Sequence, residues 1–527
     1  MERRTRREFL RDVTGGVIAA SVGFGIASEM GLVPRAFADE AASGPHADAL
    51  SFGPLEPLVA LLQETPVDKL LPTLVGRLRS GTNLRELVAA AALANARTFG
   101  GEDYVGFHTL MALSPSYRMA LEMPEDRRAL PVLKVLYRNT NRIHEHGGRK
   151  SEVLRLVKPG TLPEACSHGE VLRDAVRSQD AARAEELFAA MAQGKAEDAF
   201  DSLLHVVEDT TEVHRVVLPY RAWDLLDVVG KEHAHALLRQ SLRYCLKSER
   251  RAPPDQYTKV RTLLPKLLEE HHLLGDRAPG SREVDDAWVE RTSRAFFKAS
   301  AEEAAGIAAA ALAEGIAPDA VGQAISLAGN QLVLRDRGRT ERESSPGKPA
   351  GSVHGDSIGV HACDSANAWR NMTRAVRPTN ACACLILGAY QVALDRVNRG
   401  GDFQNWTPHP HPEHLEKVKG SSADDLLREA EGAIRENDQA KACAVVHRYG
   451  ELGHPARAVF DLLLRFATSE DGALHAEKYY RTVSEEFASL RPAFRWRQLS
   501  ALARVTASEF GRPAAGYAEA CELLKPA

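Results

Sequence analysis

Aromatic residues are scarce in this chain, 6% of 527 residues, and cysteine is scarcer still at seven. Seven thiols in so long a chain do not make a disulfide scaffold. Their odd number leaves at least one unpaired within the chain, and small buried apolar use is the ordinary role. Neither sign of charge dominates: 67 Lys and Arg stand against 71 Asp and Glu, a net charge of −4. That balance excludes a dominant nucleic-acid footprint, which needs a concentrated basic excess. Beyond the N-terminus no apolar run reaches the roughly 20 residues of a spanning helix, so no stable membrane span is expected once that segment is removed. Alternating Val/Ile/Thr strand patterns are almost missing. So are a Gly-x-Gly-x-x-Gly or Walker phosphate loop and the Cys-x-x-Cys-His of c-type haem attachment.

What is present begins with an address. Thr5-Arg6-Arg7-Glu8-Phe9-Leu10-Arg11 is followed by a weakly apolar stretch from Val13 to Ile26 and by Ala36-Phe37-Ala38, a small-x-small cleavage pattern. These features in this order resemble a twin-arginine signal peptide over residues 1–38, with a mature start near Asp39. The resemblance implies that the twin-arginine translocase is a partner. It also implies a periplasmic or secreted bacterial location. Many cargoes of that route acquire a metal or organic cofactor before export. The segment holds six of the 67 basic and four of the 71 acidic residues, leaving 61 against 67 and a net charge of −6 on the mature chain.

The mature chain reads all-α. Ala and Leu dominate, and apolar residues recur at three- and four-residue spacing in Leu84–Ala96, Ala182–Ala192, Ala196–Val207, Trp223–Leu246, Ala301–Leu312, Leu426–Ile434 and Tyr479–Leu490. The best strand candidate is Val213–Leu218, just before Pro219. Residues 274–284, 335–357 and 399–422 read as loops, the second suited to act as a lid. The first divides the chain into an N-terminal helical half, 39–275, and a C-terminal half, 285–527.

An internal duplication is suggested by Leu87–Ala96, which matches Gly306–Gly315, and by Ala190–Ala199, which loosely matches Ala433–Ala442. If real, it predicts two packed halves with the deepest cleft between them, a preferred place for ligands. Each half holds two steps in which an apolar residue precedes a histidine that opens a helix-like run. These are Phe107-His108 and Val213-His214, then Val360-His361 and Leu474-His475. Convergence of His108, His214, His361 and His475 would create a histidine-rich metal site for zinc, iron or copper. Asp364, one turn after His361, can bind the metal or orient an imidazole. Arg370, like Arg221 beside a Trp, can hold an anionic substrate or a salt bridge. His354-Gly355-Asp356-Ser357 can extend the site, though capping suits Asp356 or Ser357 better. His205, Glu208 and Glu212 supply further imidazole and carboxylate near His214. His409-Pro410-His411-Pro412-Glu413-His414 reads as a solvated loop that binds metal weakly at most.

The helices bearing His108, His214 and His361 resemble the helical region that follows the Rieske domain in some bacterial redox proteins. No Cys-x-x-His occurs, so the cluster's ligand pairs are incomplete. Together these residues point to an exported metal-dependent enzyme acting on a small molecule, an oxidoreductase with iron or copper as cofactor. With zinc, a bound water of lowered pKa would make it a hydrolase or lyase. The reading from another class is a helical-repeat binding module without chemistry. Replacing Arg6 and Arg7 by Lys is expected to leave uncleaved precursor in the cytoplasm, as read by immunoblot of periplasmic and cytoplasmic fractions.

Overall fold

The computed structural model describes residues 48–164, 166–251, 254–276, 278–398 and 403–525; residues 1–38, expected from sequence to be a signal peptide, lie outside them. Capping chemistry starts the helices where the sequence offers it. Asn83 accepts the amide of Glu86, and Glu86 accepts that of Asn83, opening α1 (Leu84–Phe99). Gly100 ends that helix in left-handed backbone at φ 55°. Every residue from Leu87 to Phe99 is buried. An Ala-rich helix at the centre of a core lets its neighbours approach closely. Asp103 caps α2 (Tyr104–Glu122), and Arg142 of α3 (Leu130–Glu145) grips both oxygens of that carboxylate at 2.9 and 2.6 Å. Glu212 caps α4 (Val213–Val229), which leads to α5 (Ala234–Arg251). In the second half the helices that matter are α6 (Pro318–Arg335), α7 (Ile358–Met372), α8 (Pro378–Asn398), α9 (His475–Ser489) and α10 (Trp496–Glu509).

The described residues form 23 α-helices and no strands, only isolated bridges such as Ala49 to Arg155. The fold is all-α. At its heart four helices close a ring: α2 packs on α4, α4 on α7, α7 on α9, and α9 back on α2. Helices α1 and α3 back α2, α5 backs α4, α6 and α8 back α7, and α10 backs α9. The larger apolar core continues from Phe52 to Phe403 across residues 274–284, joining α1 to α8. A second core, chiefly residues 426–507, meets the first at Met119 of α2, Val333 of α6 and Val360 of α7. All seven cysteines are free.

Two local expectations are corrected. Val213–Leu218 is not a strand but the start of α4, because the Glu212 carboxylate accepts the amides of His214 and Arg215 at 3.1 and 3.0 Å and so nucleates a helix despite Pro219. Trp223–Leu246 is not one helix. It breaks at Gly230 (φ 111°), where a Cβ would lie 2.4 Å from the Glu232 carboxylate. The order of elements also differs between the segments that match in sequence. Helix α1 runs directly into α2 with His108, whereas α6 intervenes between Ala301–Ala313 and α7 with His361.

One buried ion pair fastens the ring to its backing. Lys134 of α3 meets Glu477 of α9 at 2.6 Å and donates to the carbonyls of Ala467 and Glu470. Removing one partner of such a pair strands a charge in the core and costs about 3–5 kcal/mol. Glu477→Met should therefore lower the unfolding free energy in urea by about 3 kcal/mol, and Lys134→Met/Glu477→Met should cost clearly less than that single change.

Candidate metal centre

Each helix of the ring contributes one histidine from its first turn: His108 on α2, His214 on α4, His361 on α7 and His475 on α9. The structure brings all four together. Ring centroids lie 4.9 Å apart for His108 and His214, 6.1 Å for His214 and His361, 5.2 Å for His361 and His475, and 5.3 Å for His475 and His108. His108 and His475 are buried, His361 is half-buried, and the His214 side chain keeps 12% of its surface exposed. Tyr104, Phe107 and Tyr244 pack around the His108–His214 side.

Hydrogen bonds on the outer nitrogens set the chemistry of the inner ones. His108 Nδ1 is 2.8 Å from the Tyr104 carbonyl oxygen, and His475 Nδ1 is 3.1 Å from that of Ala473. A carbonyl only accepts, so both Nδ1 atoms carry the proton and both Nε2 atoms carry lone pairs. His214 Nδ1 donates to the Glu212 carboxylate at 2.7 Å, with the same result. That carboxylate also accepts the Tyr244 hydroxyl at 2.8 Å, and its neighbours hold its pKa down to about 2 against the raising effect of burial. The Nε2 atoms of His108 and His214 are buried without a partner. Those of His475 and His361 face each other at 3.2 Å, so His361 Nε2 donates to the lone pair of His475. Nδ1–H held outward by a carbonyl or carboxylate, with Nε2 presented inward, is how proteins orient imidazole ligands.

The neutral state is enforced. Burial, reinforced by neighbouring positive charge, pushes His108 and His475 well below the ordinary imidazole range and His361 down to about 3. That charge comes from His214, the larger contributor at His361, and from Lys478, one turn after His475 and itself buried; burial pulls the Lys478 ammonium down to about 8 against the raising effect of Asp364 and Glu477. Asp364 is not paired with an imidazole. Thr482 Oγ1 donates to it at 2.7 Å, Arg221 donates to Thr482 at 3.2 Å, and burial raises its pKa. It therefore stands behind the cluster as the counter-charge of Lys478. The set is convergent but open. Among the described residues no three of its donor atoms lie within 4.8 Å of one another, a spread that His409, His411 and His414 do meet.

The remaining candidates fall elsewhere. Arg370 is spent on Glu486 and Asp319, each at 2.7 Å, so its guanidinium faces ion pairs and not the histidines. Arg221 is likewise buried against Glu485 and Thr482. His205 and Glu208 lie on the preceding helix, beside Arg173 and Asp201 and apart from the cluster. The 335–357 loop is pinned, not hinged: Arg339 and Lys348 both hold Asp356, and Arg504 holds the carbonyl of Asp336. Ser357 caps α7 through the Val360 amide at 3.4 Å. Gly355-Asp356-Ser357-Ile358-Gly359 has the spacing of a nucleophile elbow, but no strand precedes it and its serine is committed as this cap. Compared with models of known families, with curated proteins and with solved structures, the chain matches none.

Two backbone features hold His475, and sequence reasoning missed both. Gly472, Ala473 and Leu474 adopt positive φ of 50°, 48° and 66° in succession, which turns the Ala473 carbonyl onto the His475 ring. Gly355 passes so close that a Cβ would lie 2.4 Å from His475 Cβ. Ala473→Gly should relieve left-handed strain and stabilise the fold by about 1 kcal/mol in urea unfolding. Gly355→Ala should instead destabilise by about 1–3 kcal/mol, as overpacking does, and displace the His475 imidazole.

Proposed function

We propose that His108, His214, His361 and His475 are the ligands of a metal ion in an exported enzyme, and that the enzyme is an oxidoreductase acting on a small molecule. One observation carries this reading. Three imidazoles from three helices are locked with Nδ1–H outward and Nε2 lone pairs inward, and two of those lone pairs are buried with no partner. Buried polar atoms without partners cost free energy, and a structural histidine cluster would have satisfied them. Small side-chain rotations would draw the open set around an ion. A solenoid of helical repeats would spread the four residues along its length, so their gathering in one ring weighs against the binding-module reading.

The donor set also favours a redox metal. Four imidazoles complete the tetrahedral shell of zinc, as in closed structural sites, whereas iron and copper accept further ligands and would supply electron transfer to oxygen or substrate. The zinc hydrolase or lyase is accordingly the second reading. The protein's own groups prepare the place. Tyr104, Phe107 and Tyr244 wall the His108–His214 side, Glu212 holds the His214 ring in place, and helix N-termini with Lys478 create a positive field that suits an anionic oxygen or substrate. Lys478, near neutrality of charge at mildly alkaline pH, can hold or release a proton beside Asp364.

Mature protein purified after export without a tag is expected to carry about one equivalent of iron or copper by elemental analysis. His361→Ala, folded by circular dichroism, should lose it. Stoichiometric zinc that His361→Ala loses would move the assignment to the second reading, and no metal lost with His361 would overturn the metal centre. Affinity should rise with pH. His108, His361 and His475 are held neutral by burial, so the Lys478 ammonium, with its partners Asp364, Glu477 and Arg221, is the nearby charge that changes in this range. Raising the pH through about 8 removes the proton from Lys478, and with it the repulsion of an incoming cation. Chelator competition from about pH 7 to about pH 9 should show tighter binding at the alkaline end, by roughly tenfold for a change of about 1.4 kcal/mol.

A further inference from the structure

We propose that His409, His411 and His414 form a second metal site, built from none of the residues of the four-histidine centre, that takes a borderline divalent ion of the zinc(II) or copper(II) class. Their donor atoms all lie within 4.8 Å of one another. The rings of His409 and His411 stack at 4.0 Å, and that of His414 sits 5.7 and 5.6 Å from them. Tautomers again point the lone pairs. His411 Nε2 is 3.1 Å from the Thr407 carbonyl, so it carries the proton and leaves Nδ1 free to coordinate. Nδ1 of His409 and Nδ1 of His414 are buried with no partner. Three imidazole nitrogens thus converge on one space, and Glu413, outside that group, places a carboxylate oxygen 3.8 Å from His411 Nδ1.

The segment is not the solvated loop its composition suggests. The His409 amide donates to the Leu334 carbonyl at 2.8 Å, Arg335 donates to the Trp406 carbonyl at 2.5 Å, and the Arg337 guanidinium covers the Trp406 ring at 5.0 Å. Pro410 and Pro412 fix φ on either side of His411. The site is therefore arranged before an ion arrives, while half-buried His411 leaves an approach from solvent. Three imidazole nitrogens with one carboxylate or water suit zinc or copper, not calcium or magnesium, which want oxygen shells. Its occupant would clamp the 403–416 segment onto α6 and the helix Gln439–Glu451.

The test uses full-length mature protein stripped with a chelator, with zinc(II) as the probe and cobalt(II) as its spectroscopic stand-in. It is run in the His361→Ala background, so that the outcome does not depend on the four-histidine centre. One zinc per chain is expected to survive gel filtration, and cobalt should give the visible bands of a low-coordinate nitrogen site. Adding His411→Asn and His414→Asn should abolish both and weaken zinc binding by about 100-fold. Melting in the absence of zinc should change little, because both side chains are only half-buried and the backbone anchors of the loop lie elsewhere, at Trp406 and His409. Retention of no zinc in the His361→Ala protein, or unchanged binding after the two loop substitutions, would overturn the proposal.

Discussion

Everything at the centre of this protein depends on where three protons sit. The Nδ1–H groups of His108, His214 and His475 are each tied to an acceptor that cannot donate in return: two backbone carbonyls and one carboxylate. That constraint forces a lone pair onto each inward nitrogen. It also ties the chemistry of the centre to helix geometry, since the acceptors lie in the turn that starts each helix. Tyr104 opens α2, Glu212 caps α4, and Ala473 closes the turn before α9. Four helix starts must therefore meet at one point, and the ring of α2, α4, α7 and α9 is the arrangement that makes them do so.

The meeting is unfavourable by itself, and the surroundings show what offsets it. Burial, reinforced by neighbouring positive charge, holds the imidazoles of His108, His361 and His475 neutral. Asp364, held by Thr482 and Arg221, stands near Lys478 as its counter-charge. Left-handed backbone at Ala473 and Leu474 stores strain immediately before His475. Strain of this kind persists only where the rest of the fold over-determines the conformation. Here the Lys134–Glu477 pair and the two apolar cores supply that over-determination. An empty cluster of this composition gains nothing from these costs, whereas one that receives an ion converts the unpartnered lone pairs into bonds.

Much of this was legible in the sequence, and for identifiable reasons. Three- and four-residue apolar spacing identified the helical class, because the pattern expresses which face of each segment must leave water. Ser357 announces a helix start because capping is local chemistry between a side chain and amides three residues on. The four apolar-His steps were visible because each places a histidine at the onset of a helical run. Less legible were the partners. Arg370 stands two turns beyond His361 in sequence, but its direction was decided by Glu486 of α9 and by Asp319 at the start of α6. The loop around His409 reads as solvated because Pro and His are polar-loop residues, and only the anchors from α6 reveal it as ordered.

The sequence by itself determined the all-α class and singled out the four apolar-His steps, both of which follow from local periodicity. Tertiary structure alone decided that those histidines share one space, and that Lys478 and Gly355 border it. It also decided that the 335–357 segment is pinned by Arg339, Lys348 and Arg504. The reason is physical: tautomer, burial and electrostatic field belong to the set of neighbours around an atom. In this chain those neighbours come from positions more than 100 residues apart, as His361 and His475 do.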